Sequence, residues 1–211
     1  MKDSHAENIV VKVGGASLFS QSSLVGQIRS VITPPANQRM FVLFGGGDTV
    51  ESMRSLHTLY PHLDSAAMHW RCVQLLDATW EVACELFPEG NPAPTWEALQ
   101  QGTVGPSGSL YLVRAAAFYA PQSLSRIPCD LQPAANWNTT SDVLSWILAT
   151  LVGAAELRIA KRCPVESDMT IREAATAGMI DSELARLVSD RPHQQQPKIR
   201  FVHLREPPCS S

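Results

Sequence analysis

The chain has 211 residues, of which 45% are hydrophobic and 18% charged, with a formal net charge of −3. That length supports one α/β domain with a real core, and the composition excludes a disordered chain. No basic run marks nucleic acid as a partner, and no apolar segment is long enough to span a bilayer. Residues Met1 to Asn8 are polar, carry both charge signs and lack the apolar core of a signal peptide, so a cytoplasmic protein is expected. The cysteines, Cys72, Cys84, Cys129, Cys163 and Cys209, are odd in number, and no CxxC pair occurs among them. Free thiols in a reducing compartment are the simplest account. The histidines do not gather near the cysteines at ligand spacing, so no zinc site is expected.

The first element is the stretch Ile9-Val10-Val11-Lys12-Val13-Gly14-Gly15-Ala16-Ser17. Its β-branched run reads as a buried parallel strand. Lys12 interrupts that run, and a buried ammonium is costly unless it meets an anion. Gly14 and Gly15 follow with bare amides, and Ser17 suits a helix N-cap. The stretch reads either as a phosphate cradle or as an ordinary βα turn with a snorkelling lysine.

A helix is predicted over about 21–32, with Leu24, Ile28 and Val31 on one face, ended by Pro34 and Pro35. Met40 to Phe44 is a second buried strand, and it runs into Gly45-Gly46-Gly47, with Asp48 and Thr49 at the next cap. Neither a dinucleotide fingerprint nor a Walker A loop is present. Two strand-to-glycine turns at the carboxyl edge of a parallel sheet still mark a ligand edge. The triple glycine implies close approach of a ligand to the backbone, or else a tight turn alone. Helices follow over about 50–59 and 65–87. The second carries Val73, Leu76, Trp80, Val82, Ala83 and Leu86 at helical spacing, and His69 reads as structural. Residues 88–94 read as loop, and Thr95 caps a short helix over 96–101. A strand is predicted over 109–113, with an irregular stretch over 121–133.

Asn136-Trp137-Asn138-Thr139-Thr140-Ser141-Asp142 is rich in cap and turn formers and opens an apolar helix that Gly153 closes. Capping alone accounts for an Asp at such a helix start. Residues 157–160 form a strand with Lys161 at its carboxyl end. Two short helices follow, one opened by Thr170 and ended by Gly178, the other led by Ile180-Asp181-Ser182. A polar loop over 190–196 and a last strand over 199–204 complete the chain.

Three pieces carry a resemblance. Lys12-Val13-Gly14-Gly15-Ala16-Ser17 resembles the KxGGS opening of the amino acid kinase superfamily. Phe44-Gly45-Gly46-Gly47 resembles its second glycine loop, and Thr139-Thr140-Ser141-Asp142 its Asp-bearing turn. The strand ending in Lys161 is similar to the strand before its nucleotide loop. Met68-His69-Trp70 and Gly178-Met179-Ile180-Asp181 look most like one branch, the 5-(aminomethyl)-3-furanmethanol phosphate kinase-like group of methanofuran biosynthesis. The chain departs from the pattern where Arg162-Cys163-Pro164-Val165 stands in place of an acidic Val-Asp-Gly loop.

The resemblance implies a three-layer αβα sandwich around a mostly parallel central sheet. An acceptor-binding lobe would cover about 1–133 and a nucleotide-binding lobe about 134–211. It implies an ATP-dependent kinase using Mg²⁺, acting on a small-molecule phosphate, with no nucleic-acid or membrane partner, and homo-oligomeric. Lys12, Asp142 and Lys161 would be catalytic. Gly14, Gly15, Ser17, Gly45, Gly46 and Gly47 would hold phosphate and acceptor, and Ser141, Asp142 and Lys161 the nucleotide. The acceptor implied is 5-(aminomethyl)-3-furanmethanol phosphate. Uridylate and isopentenyl phosphate kinases, or a non-catalytic nucleotide- or oxyanion-binding assembly subunit, are the alternatives.

Overall fold

In the computed structural model, residues 6–20, 23–164, 169–190 and 196–204 are described. Val165 and Cys209, and most of the loop expected over 190–196, lie outside them. Six strands form one sheet: β1 (Glu7–Val13), β2 (Gln38–Phe44), β3 (Asn91–Ala93), β4 (Leu110–Val113), β5 (Glu156–Lys161) and β6 (Lys198–His203). Their order is β3-β4-β2-β1-β5-β6, and every pairing is parallel. Parallel neighbours need crossovers, which the helices supply on both faces. The helices are α1 (Gly15–Ser20), α2 (Ser23–Ile32), α3 (Gly47–Leu59), α4 (Ser65–Leu86), α5 (Trp96–Thr103), α6 (Ser141–Leu151), α7 (Ile171–Thr176) and α8 (Ser182–Ser189).

Strand alternation decides what each face receives. Ile9, Val11 and Val13 of β1 point to one side and pack with Leu24, Ile28 and Ile32 of α2. Val10 points the other way, among Val143, Leu144 and Ile147 of α6. Lys12 shares Val10's face by the two-residue period, so the strand aims its lysine toward α6. Lys161 follows the same rule in β5, two positions after Ile159, which packs in the α6 layer. Helix α6 is buried from Asp142 to Ala149, because it lies across the centre of the sheet.

The described fold corrects several sequence expectations. The helix after β1 starts at Gly15, so Ser17 lies inside α1, buried, and is not its N-cap. Ile32 rather than Val31 is the fully buried end of the α2 stripe. Helix α3 starts at Gly47 with Gly46 as N-cap, placing Asp48 and Thr49 in the first turn. Gly47 has φ of 54°, a left-handed conformation that favours glycine. Val82, expected in the core, is 47% exposed, because it falls on the outer face of α4. The stretch read as loop over 88–94 contains β3, an edge strand whose Pro92 disguised it.

Candidate active site

The carboxyl ends of β1, β2 and β5 meet at one edge of the sheet, beside the amino end of α6. Asp142 reaches down from the first turn of α6. Lys12 Nζ lies 2.8 Å from its Oδ1, a contact of charge without an aligned hydrogen bond. Lys161 Nζ donates to its Oδ2 at 2.9 Å. The three expected catalytic residues therefore converge, although they come from three separate elements. Thr140, not Asp142, caps α6: its Oγ1 accepts from the Asp142 amide at 3.2 Å. The Asp142 side chain is left free to serve the two lysines.

Burial pulls the Lys12 ammonium below its ordinary range; Asp142 opposes this and Lys161 adds to it. Burial also works to raise the Asp142 carboxyl, but the two ammonium groups outweigh it and hold it low. One carboxylate facing two lysines leaves a net charge of about +1 in a desolvated place, which favours an anion. Asp181 stands beside this cluster. It occupies the N-cap position of α8 but makes no cap bond, accepting instead from the Thr140 hydroxyl. Burial raises its carboxyl, the Thr140 bond pulls it down, and the Asp142 charge raises it further.

The two glycine turns pack backbone to backbone. A Cβ on Gly15 would lie 2.2 Å from both the Gly45 carbonyl and the Gly47 amide nitrogen. A Cβ on Gly45 would come within 2.8 Å of Ser141 Oγ. A Cβ on Gly46 would lie 2.2 Å from Val50 Cγ2, so packing against α3 explains this glycine without any ligand. Gly14 differs. A Cβ there would meet nothing closer than 3.8 Å, and Lys12 Nζ would be 3.9 Å away. The protein's own atoms do not require glycine at 14.

A cavity of about 340 Å³ opens over the cluster. Lys12, Gly46, Gly47, Ser141, Asp142 and Lys161 line its charged end. Gly14, Gly15, Ser17 and Gly45 are not among its lining residues. It is also lined by residues the sequence reading did not place in the site: Arg54 and Trp137, and Asp181 beside the lysines. Read locally, these are an exposed helix arginine, a loop aromatic and a helix cap, and only the long-range packing assembles them. His69 also borders the cavity and is almost fully buried. Its Nδ1 faces the Asn136 carbonyl at 3.0 Å and its Nε2 the Tyr119 hydroxyl at 3.0 Å. Both nitrogens are engaged, so His69 braces the wall. Among the described residues, no three His, Cys, Asp or Glu side chains gather to hold a metal. None of the described helices is long and apolar enough to cross a membrane.

No protein-family model and no curated protein matches the sequence. Solved structures do match. Uridylate kinase from Archaeoglobus fulgidus aligns over 92% of this chain and 90% of its own, at 13% identity and TM-score 0.59. UMP kinase from Ureaplasma parvum aligns over 93% and 89%, at 11% identity and TM-score 0.63. UMP kinase from Bacillus anthracis aligns over 94% and 87%, at 10% identity and TM-score 0.62. The chain has an amino acid kinase-like fold. Identity this low carries the architecture alone, so what the chain does rests on its own site.

Proposed function

We propose that the protein is an ATP-dependent small-molecule kinase whose acceptor is itself a phosphate monoester. The observation that carries this reading is the Lys12–Asp142–Lys161 cluster, in which two ammonium groups share one buried carboxylate at the floor of an open cavity. Phosphoryl transfer asks for positioning and for charge stabilisation on the transferred group, with little covalent chemistry from protein. Lys12 would stabilise charge on the transferred phosphoryl. Lys161 would meet the nucleotide phosphates, and Asp142 would hold both ammonium groups in register. Residues 1–133 would supply most of the acceptor side and 134–211 most of the nucleotide side. The residues present fit a Mg²⁺ that arrives on the nucleotide phosphates, with Asp181, whose carboxylate lines the same cavity and accepts from Thr140, the residue that would meet it. Bound there, the metal would neutralise charge on the β- and γ-phosphates.

The acceptor favoured is 5-(aminomethyl)-3-furanmethanol phosphate, converted to its diphosphate in methanofuran-type cofactor biosynthesis. Its support is the resemblance of Met68-His69-Trp70 and Gly178-Met179-Ile180-Asp181 to that branch, together with a cavity of small-molecule size. Uridylate and isopentenyl phosphate are the next acceptors to try. A second reading, a non-catalytic nucleotide- or oxyanion-binding subunit, is favoured by Arg162-Cys163-Pro164 standing where the resemblance implies an acidic loop. Incubating the protein with Mg²⁺–ATP and a panel of phosphate monoesters, followed by ³¹P NMR, separates the two. A diphosphate ester and ADP are expected. Tight Mg²⁺–ATP or phosphate binding with no transfer to any acceptor would establish the second reading instead.

A further inference from the structure

The cavity has an apolar inner wall, made by Val50, Cys72, Val73, Leu76 and Leu144, and one large aromatic, Trp137. Trp137 also lines a neighbouring cavity of about 500 Å³ over the end of α3, so the indole stands as a partition between the two. Its position is held from two sides. The Arg54 guanidinium carbon lies 5.5 Å from the ring centroid, over one face. The indole Nε1 donates to His57 Nδ1 at 2.6 Å. His57 Nε2 in turn lies 2.9 Å from the Leu63 carbonyl oxygen.

That pair of contacts fixes the state of His57. A carbonyl oxygen only accepts, so Nε2 carries the proton; an indole N–H only donates, so Nδ1 must present its lone pair. Only the neutral imidazole satisfies both. Protonation would set two N–H donors head to head and release the indole. The charged groups facing this corner are Arg54 from α3 and Asp181 from α8; Asn138 and Ser182 complete it without charge.

We propose that Trp137 is the acceptor-recognition surface, taking phosphate monoesters built on a flat, π-bonded ring, and that His57 is a positioning residue that holds the indole by accepting its N–H. This rests on the kinase reading for the word acceptor, but not for the binding itself. The phosphate goes to the Lys12 end, and the ring lies along the indole face that Arg54 leaves open. Offset stacking of this kind is worth roughly a two- to tenfold gain in affinity over a saturated body of the same size.

Calorimetry with benzyl phosphate and cyclohexylmethyl phosphate tests this directly. The benzyl ester should bind roughly two- to tenfold tighter. The two esters carry the same phosphate, so their affinity ratio isolates the ring. Trp137→Leu should abolish the preference. His57→Ala, which removes the acceptor for the indole N–H, should weaken it, and His57→Gln should keep it, because a glutamine oxygen can accept from the indole while its amide donates to Leu63. Equal affinities in the wild type, no binding of either ester, a preference surviving Trp137→Leu, or a preference unchanged in His57→Ala would each overturn the proposal. Mg²⁺–ATP titrations on the same samples report on the kinase reading separately. If Mg²⁺–ATP fails to bind while the ring preference holds, the kinase reading falls and the recognition surface stands.

Discussion

Asp142→Asn is the most informative single change. The carboxylate lies 2.8 Å from one ammonium and 2.9 Å from another, and all of it is buried. Replacing it with a neutral amide keeps the shape and takes these three groups from a net charge of about +1 to about +2, with Asp181 beside them as a partial counter-charge. Removing one partner of a buried ion pair costs about 3–5 kcal/mol. For a domain of this size each kcal/mol moves the melting temperature by about 2–4 °C, giving a fall of roughly 6–20 °C. The loss has a direction with pH. Lys12 is already pulled down by burial, so it sheds its proton as pH rises and relieves the repulsion. The deficit should therefore shrink toward alkaline pH. It should shrink likewise on adding inorganic phosphate, which binds the more positive cluster and stabilises the folded state. Turnover should fall at least about a hundredfold, the scale of one lost electrostatic contact in the transition state. The assay is calorimetric melting of wild type and variant across pH, with and without phosphate. A variant that melts within about 1 °C of wild type near neutral pH, with no response to phosphate, would refute the charge argument. It would reduce Asp142 to a helix-start residue that Asn replaces.

The companion change, Lys12→Ala, should behave differently: Asp142 keeps its bond to Lys161, so the protein should stay folded while turnover drops about 10²–10³-fold. A soluble variant with near-native turnover removes Lys12 from the chemistry. Gly14→Ala should leave melting unchanged, since its Cβ meets no atom within 3.8 Å, and should weaken phosphate binding by filling the space beside Lys12. Gly46→Val should instead destabilise by about 1–3 kcal/mol, because its side chain overlaps Val50 and Leu76. Thermal melting and phosphate titration of the two variants together distinguish a ligand-facing glycine from a packing glycine. Asp181→Asn should stabilise near neutral pH. The folded state holds the Asp181 proton more tightly than the unfolded chain, so the ionised carboxylate costs stability above its raised pKa and costs nothing once pH falls below the unfolded value. The gain, a few degrees at most, should vanish by about pH 3; a gain that persists there excludes a charge origin.

The charged end of the site was legible because its members break local rules. A lysine in a β-branched strand and another at a strand end have few innocent explanations, and alternation alone aims both toward α6. The glycine turns were legible as turns, but not in their cause: Gly46 yields to Val50, which no local pattern announces. Asp142 was readable as a cap or as an organiser, and a neighbouring hydroxyl, Thr140, decides between them by taking the cap. The Trp137 side of the cavity was not legible. Trp137, His57 and Asp181 are ordinary in their own windows and acquire meaning only through contacts that cross 80 positions, as from Trp137 to His57, or 41, as from Thr140 to Asp181. β3 escaped because an edge strand tolerates the proline that a central strand forbids.

The place of β1 in the sheet bears on how the chain is made. It precedes the other five described strands in the chain, yet it lies between β2 and β5, and β5 cannot pair with it until residues 156–161 have been synthesised. Until then one side of this buried strand has an unpaired ladder, and the two lysines that share Asp142 are not yet in the same structure. Unpaired apolar edges are what neighbouring nascent chains and holdase chaperones engage. The same arrangement that seats Lys12 at the centre of the sheet thus makes the pairing of β1 with β5 and the assembly of the charge cluster one event, which waits on residues 156–161.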